Sequence, residues 1–188
     1  MSVRDCLLAV LSLGPQYGLQ IHAELTTRTP HRAATNVGQI YSTLERLVRD
    51  ERVETAGQTD DGLPLYQLTA TGANEATAWL NSTSVKSDTS WPDILDLAFM
   101  VRSLPHVDPH TALTAISRSF APRAASASGT DAKSRTAGLL EKAEQDFASG
   151  VRSVVDRLTA DVDSSPEHGW GLTNVRPKRG RRPLNPPS

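Results

Sequence analysis

The sequence predicts a mainly α fold: an N-terminal winged helix-turn-helix, made of three helices and a β-hairpin wing, followed by a C-terminal helical dimerisation region with one long helix. Three observations support this fold class. Three helical patterns fill the first fifty residues, two strand-prone runs with an Asp-Gly turn follow them, and the second half shows helical patterns only. Three helices and then a hairpin is the element order of a winged helix-turn-helix.

The first two helices are predicted at residues 4–13 (RDCLLAVLSL) and 19–28 (LQIHAELTTR). Between them, the stretch GPQYG at 14–18 is rich in residues that break helices, so it predicts a turn. Cys6 falls on the apolar side of the first helix. This position favours a buried, inert thiol over a redox sensor.

The third helix is predicted at residues 36–50 (NVGQIYSTLERLVRD) and has two distinct faces. Asn36 is a good N-cap residue, because its side chain can accept free N–H groups of the first turn. The predicted core face consists of Val37, Ile40, Leu44, Leu47 and Val48. The opposite face is short and polar, whereas a helix that only faces solvent more often has Glu and Lys there.

The hairpin is predicted from strands at 52–58 and 63–69 with a tip at 59–62, and a helix at 69–81 follows it. A polar linker at 84–90 leads to helices at 91–104 and 108–120, and then to a long helix at 134–162. A long helix with a narrow apolar seam usually pairs with another helix, often from a second copy of the chain. The predicted domains are therefore 1–83 (DNA-binding), 84–163 (dimerisation and effector) and 164–188 (a disordered basic tail).

Composition narrows the class of protein. No run of 18 apolar residues and no secretory signal is recognisable, and there is one cysteine, so the sequence predicts a cytoplasmic protein without a membrane partner. No phosphate-binding loop, nucleophile arrangement or cluster of metal ligands is apparent, and the five histidines are scattered. We therefore expect no enzyme activity, no cofactor and no metal site.

The net charge of −1 conceals a basic C-terminus. Residues 171–188 contain five Arg and Lys residues and no acidic residue. The stretch RPKRGRRP (176–183) resembles an AT-hook, in which arginines lie in the minor groove of A·T-rich DNA, although Arg182 interrupts the motif. Arg179 and Arg181 are the candidate contacts, and non-specific attraction to phosphates is the alternative.

Three stretches in the first eighty residues resemble the PadR-type transcriptional regulators. LLAVLSLGPQYGLQI (7–21) is similar to the family's opening helix and its Gly-Pro…Gly turn. GQIYSTLERL (38–47) is similar to its recognition helix, and LYQLTATG (65–72) to its wing exit. The resemblance implies a dimeric regulator that occupies an operator and that, in some members, releases it when a small aromatic or drug-like molecule binds.

The chain departs from the family pattern at several positions. Leu19 replaces a usual Tyr, Ser42 a usual Pro, and Glu51 a Gly that is common after the recognition helix. Basic residues usually flank the wing Tyr, and Leu65 and Gln67 do so here. Asp60 and Asp61 at the tip would repel phosphates. These changes are compatible with the fold and argue against strong contacts between wing and phosphates.

The candidate DNA contacts on the third helix follow from the winged-helix order, which places this helix in the major groove. Arg can bond guanine, Gln can bond adenine, and a Thr methyl can contact thymine. Asn36 is a cap first and a phosphate ligand second. For Tyr41 the family motif favours a phosphate contact over simple packing in the helix seam. The remaining candidates on this helix are Gln39, Ser42, Thr43 and Arg46.

Two further groups of residues could have either a binding role or only a structural role. Arg28, His31 and Arg32 precede the third helix, where phosphates would pass, and we select Arg32 as a DNA contact against the alternative of ordinary loop charge. Trp91 and Phe99 could line a pocket for a small aromatic effector, or could simply pack.

The sequence therefore predicts a homodimeric, sequence-specific DNA-binding repressor that acts on double-stranded DNA at a roughly palindromic operator. The sequence also allows two alternative functions. One is a non-specific A·T-rich DNA-binding protein in which the basic tail dominates. The other is a winged-helix module that is used for protein contacts.

Overall fold

The computed structural model describes residues 3–82, 85–86, 88–121, 132–165 and 168–173. The described part is mainly helical, with a small antiparallel sheet, which confirms the predicted fold class. The helices are α1 (Val3–Leu11), α2 (Gly18–Arg28), α3 (Val37–Arg49), α4 (Ala70–Leu80), α5 (Trp91–Ser103), α6 (Pro109–Ser119) and α7 (Ala132–Ser164), with a 3-10 turn at Pro30–Arg32. The strands are β1 (Gln16–Tyr17), β2 (Val53–Gln58) and β3 (Pro64–Leu68).

The wing is a hairpin of β2 and β3 with an irregular register. Val53 pairs with Leu68 and Thr55 with Tyr66, and a bulge lies between Thr55 and Gln58. The tip closes through the Thr59 side chain, which donates to Asp61 and accepts the Leu63 amide. Asp60 and Asp61 thus lie at the end of a wing whose residues 53–68 contain no Lys or Arg.

A third strand corrects the prediction for GPQYG, which was expected to form only a turn. Gln16 and Tyr17 form β1 and pair with Tyr66 and Leu65 on the free edge of β3, so the sheet order is β1-β3-β2. The Gln16 side chain is fully buried and donates to the Val10 carbonyl at 2.9 Å. A strand of two residues is too short to show a period in the sequence, and the edge of β3 supplies its partners.

Capping residues define where several helices begin. Asn36, Thr69, Ser90 and Asp108 each accept a backbone N–H of the first turn that follows them. Pro92 is the second residue of α5 and Pro109 the first of α6, and neither position needs an intrahelical donor. The starts of these helices agree with the sequence prediction within a residue or two.

The two halves of the protein share one hydrophobic core. Side chains of α1, α2 and α3 pack in the same buried cluster as those of α5, α6 and the C-terminal half of α7, where Val151 and Val155 are buried. The predicted boundary at residues 83 and 84 lies in a connection between α4 and α5 and stays a prediction. None of the described helices has the combined length and apolarity that crossing a bilayer requires.

The C-terminal segment, residues 168–173, corrects the prediction that disorder begins near residue 164. The Trp170 amide donates to the Ser103 carbonyl at 3.0 Å, and the Thr173 amide donates to Glu24 at 2.7 Å. Helix α7 also extends to Ser164. The segment is short and contains Gly, so its sequence resembles that of a flexible tail. Its contacts with the buried charges of Arg28 and Glu24 are visible only in the structure.

Candidate nucleic-acid interface

Helix α3 presents the main candidate surface. The Asn36 side chain accepts the Gly38 amide at 2.7 Å, which fixes the start of the helix. Ile40, Leu44 and Leu47 are buried against the core, as predicted. On the outer side, three of the four polar candidates are exposed, namely Gln39, Ser42 and Arg46.

Two side chains of α3 lie on the face opposite to the predicted one. Thr43 was expected to face outward, but it is only 4% exposed, on the side of α3 that packs against α1. Val48 was expected in the core stripe, but it is 38% exposed. The helix is therefore rotated slightly relative to the ideal wheel, and a Thr43 methyl contact with thymine would require this side chain to leave the α1–α3 interface.

Arg46 lies along the surface of its own helix. Its Nε donates to the Ser42 carbonyl and its Nη2 to the Thr43 hydroxyl, each at 3.2 Å. The Ser42 hydroxyl in turn donates to the Gln39 carbonyl at 3.1 Å. Because a guanidinium has more N–H donors than these two bonds use, Arg46 can hold this orientation and still bind a base or a phosphate.

Two further exposed residues of α3 were missed by the sequence analysis. Glu45 and Arg49 lie three and seven positions after Ser42, so they share its outer face. The Arg49 side chain is 72% exposed and lies 3.7 Å from Asp50. The helical spacing from Ser42 was the signal that could have identified both, because Arg can bond guanine and Glu can accept from cytosine.

Tyr41 packs against the start of α2. A Cβ atom at Gly18 would lie 2.5 Å from the ring Cε1 of Tyr41, so only glycine fits at position 18 without displacing the ring. Tyr41 is partly buried, and it also lies near Tyr66 of the wing, whose pKa is raised by burial and then by Tyr41 and Glu45. Two of the three stretches that carry the resemblance, 7–21 and 38–47, therefore meet at this contact.

Arg32 forms an ion pair with Asp96 and does not extend freely from the surface. Its Nη2 and Nε donate to the two carboxylate oxygens of Asp96 on α5, at 2.7 and 3.0 Å. The hydrogen bond to Asp96 raises the pKa of Arg32. His31, beside it, lies 2.8 Å from the same carboxylate. A phosphate contact by Arg32 would require this pair to open.

Arg28 is also unavailable to DNA, because it is buried at the end of α2. Its guanidinium donates to Glu24, to the Ser103 carbonyl at 2.6 Å, and to the Trp170 and Gly171 carbonyls at 2.9 Å. It also lies over the Trp170 ring, 4.9 Å from its centroid. Burial lowers the pKa of Arg28, and the Glu24 charge opposes this effect. The sequence analysis ended the second helix at Arg28 and grouped this residue with the segment before the third helix, and the structure makes it the buried last residue of α2.

The two candidate effector residues contact different elements. Trp91 packs edge-on against Phe147 of α7, with centroids 6.0 Å apart. Phe99 lies two turns further along α5, and its ring centroid is 5.9 Å from that of His31. The structure thus places one of them at the α5–α7 contact and the other beside the turn that precedes α3.

Cys6 is fully buried in α1, as the sequence predicted. Burial raises the pKa of its thiol well above the usual value, and the nearby Asp96 charge acts in the same direction. The thiolate, which is the reactive form, is therefore disfavoured. Across the described ranges, no group of three His, Cys, Asp or Glu residues is arranged to hold a metal ion.

Helix α7 has an exposed apolar surface in its N-terminal half. Leu139 is 73% exposed and Leu140 is 62% exposed, while Val151 and Val155 further along are buried. Leu140 and Phe147 continue the stripe of these valines at helical spacing. The stripe packs against α5 and α6 in the second half of the helix, and no described element covers it in the first half.

The candidate contacts of the basic tail, Arg179 and Arg181, lie outside the described residues. The described chain ends at Thr173, whose amide is bonded to Glu24 on α2. Thr173, the last described residue, therefore lies beside α2.

Comparison with known proteins finds a sequence similarity in the N-terminal region. Residues 7–78 match the sequence model of the transcriptional regulator PadR-like family, over less than half of the chain. No curated protein matches the chain closely enough to count as similar. Among solved structures, the chain is similar to the crystal structure of Bacillus subtilis PadR in complex with operator DNA, with 18% identity, 85% of this chain and 97% of that chain covered, and a TM-score of 0.40. Residues 7–78 are therefore similar in sequence to the transcriptional regulator PadR-like family.

Proposed function

We propose that the protein is a homodimeric repressor that binds an operator in double-stranded DNA through α3. The exposed polar face of α3 carries this proposal, because it lies in the region that matches a family of transcriptional regulators. Gln39, Ser42 and Arg46 are the proposed base contacts. Asn36 and Tyr41 are proposed to bind phosphates at the start of the helix, where backbone N–H groups also point outward.

The second copy is proposed to pack on the N-terminal half of α7. Large apolar side chains are rarely left in water along one continuous stripe unless a partner covers them. Leu140 and Phe147 are exposed along such a stripe, and the exposed Leu139 lies beside it. Helix α7 is 33 residues long, or about 50 Å. A two-fold dimer would present two copies of α3 to successive major grooves about 34 Å apart, which requires a roughly palindromic operator.

Release by a small aromatic effector is a further part of the proposal. Trp91 is in contact with Phe147, which also packs edge-on against Phe120 of α6. An aromatic ligand that inserts beside Trp91 would change how α7 lies on α5, and therefore the distance between the two winged helices. Ligands act in this way when they bind one arrangement better than the other.

DNA binding can be tested by fluorescence anisotropy with duplexes from the region upstream of the protein's own gene and a scrambled duplex, at two salt concentrations. We expect preference for the upstream sequence that persists at the higher salt, because base contacts depend less on salt than phosphate contacts do. Substitution of a contacted base pair should weaken binding by about 1–3 kcal/mol.

Equal affinity for both duplexes that collapses with salt would contradict the specific repressor. That result would favour the second function, binding to A·T-rich DNA through the tail, for which the five basic residues at 171–188 are the supporting observation. Failure to bind either duplex would favour the protein-interaction module.

A further inference from the structure

Asp96 is a buried carboxylate in the middle of α5, one turn after Asp93. It is 0% exposed, and its oxygens receive three hydrogen bonds from the turn before α3. Arg32 supplies two of these bonds in the bidentate geometry that fixes both position and orientation. A buried carboxylate without such partners would be strongly destabilising, so these contacts hold α5 and the turn together.

The contact with Asp96 determines which ring nitrogen of His31 carries a proton. A carboxylate only accepts hydrogen bonds, so the His31 Nε2 that lies 2.8 Å from Asp96 must carry a proton. Phe99, one turn further along α5, packs beside the same imidazole. Two residues of α5 therefore hold His31, and one of them also holds Arg32.

The turn connects directly to the start of α3. The Thr35 amide donates to the Arg32 carbonyl at 2.8 Å, and the Thr35 carbonyl lies 2.8 Å from His22 Nε2. The next residue is Asn36, the N-cap of α3. A displacement of Arg32 would thus be passed to the N-terminal turn of α3 through one hydrogen bond and the short chain segment that follows it.

We propose that Asp96 is a positioning residue for the recognition helix, which sets the orientation of α3 through Arg32 and His31 without touching DNA. The inference rests on the proposed function, because it concerns the specificity of DNA binding. It also assigns a role to Arg32 that differs from a phosphate contact. Because Trp91 at the start of the same helix contacts Phe147, α5 links the proposed dimer helix α7 to α3.

The test is Asp96→Asn, which keeps the shape of the side chain and removes its charge. The measured quantity is the ratio of affinities for the upstream and the scrambled duplex. We expect this ratio to fall about tenfold, as is typical for residues that couple sites without contacting the ligand. Affinity for the scrambled duplex should change little, since phosphate attraction tolerates a misplaced helix.

A merely structural role would give a different result. Partial unfolding lowers the active fraction and weakens binding to both duplexes equally, which leaves the ratio unchanged and would overturn the proposal. The matched control is Asp161→Asn, which breaks the surface pair between Asp161 and Arg102 and so also removes an Arg–Asp contact of α5. We expect the wild-type ratio for this control.

A second variant and a second measurement keep the inference testable if Asp96→Asn fails to fold or if the wild type shows no sequence preference. Arg32→Lys retains the charge and loses the bidentate geometry, and an unchanged ratio for this folded variant would overturn the proposal. Amide hydrogen exchange of the DNA-free protein gives a readout that is independent of the proposed function. We expect faster exchange from Thr35 to Gln39 in either variant than in the wild type and the Asp161→Asn control, and unchanged exchange would refute the positioning role.

Discussion

Glu51 adopts the left-handed backbone conformation directly after α3, with a φ of 54°. The Arg52 amide donates to the Leu47 carbonyl at 2.9 Å, so the chain closes the helix in the way that usually requires glycine. Glycine is therefore the residue best suited to this position, and Glu51 adopts the same geometry at a cost. Gly72 is required for a different reason, since a Cβ there would overlap the Arg52 carbonyl.

The substitution Glu51→Gly should therefore stabilise the protein. Glycine removes the left-handed penalty but increases the entropy of the unfolded chain, so we expect a net gain of about 0.5–1 kcal/mol and a rise in Tm of about 2–3 °C. The contact between the Thr69 hydroxyl and the Glu51 carbonyl involves only the backbone at 51 and is retained. Thermal unfolding followed by circular dichroism measures the effect.

Asp50→Gly is the matched control for this prediction. It also replaces an acidic residue by glycine, one position earlier, where φ is −84° and glycine offers no relief. We expect a lower Tm for this variant. An unchanged or lower Tm for Glu51→Gly would show that its backbone conformation carries no appreciable strain.

At the scale of elements, periodic patterns predicted most of the fold, and contacts between elements decided the rest. The predicted core face of α3 is confirmed at Ile40, Leu44 and Leu47, because a helix of 13 residues repeats its period several times. Strand β1 was missed because two residues show no period. The ion pair of Arg32 could not be predicted, since Asp96 lies 64 positions away.

The C-terminal segment, residues 168–173, is expected to contribute to stability through Arg28 and Glu24. Deletion of residues 166–188 would remove two carbonyl acceptors from the buried Arg28 and one amide donor from Glu24. We expect a loss of about 2 kcal/mol in the free energy of unfolding, because buried polar groups are costly without partners. Deletion of residues 174–188 is the control, since it retains these contacts. Equal stability of the two truncated proteins would contradict the assigned role of the segment.

For the molecule as a whole, the exposed apolar stripe of α7 agrees with a dimer. The negative charge of the N-terminal region, in contrast, opposes attraction to DNA. Residues 1–83 contain six Arg and Lys against nine Asp and Glu, and the wing tip is acidic. The proposed interface must therefore obtain its specificity from α3 and obtain its attraction to phosphates largely from the basic tail. The uncovered stripe of α7 provides the surface that a dimer requires.

The dimer is tested by replacing both Leu139 and Leu140 with Lys. Two charges on an apolar interface are costly to bury, so we expect the mass measured by light scattering to fall from that of two chains to that of one. Affinity for a palindromic duplex should fall more than affinity for a half-site. The control replaces Gln145 and Ser149, which lie on the other side of α7, with Lys and should remain dimeric. A wild-type protein that is monomeric at all concentrations would rule out this assembly.

The central claim is that α3 determines which DNA sequence is bound, and Arg46→Ala tests it most directly. The affinity ratio between the upstream and the scrambled duplex is compared for the wild type, Arg46→Ala and Arg157→Ala, in which the same charge is removed from an exposed position of α7. Loss of a bidentate base contact should lower the ratio by about tenfold or more in Arg46→Ala, while Arg157→Ala retains the wild-type ratio. A ratio that is the same in all three proteins would contradict the account, because α3 would then contribute no sequence recognition.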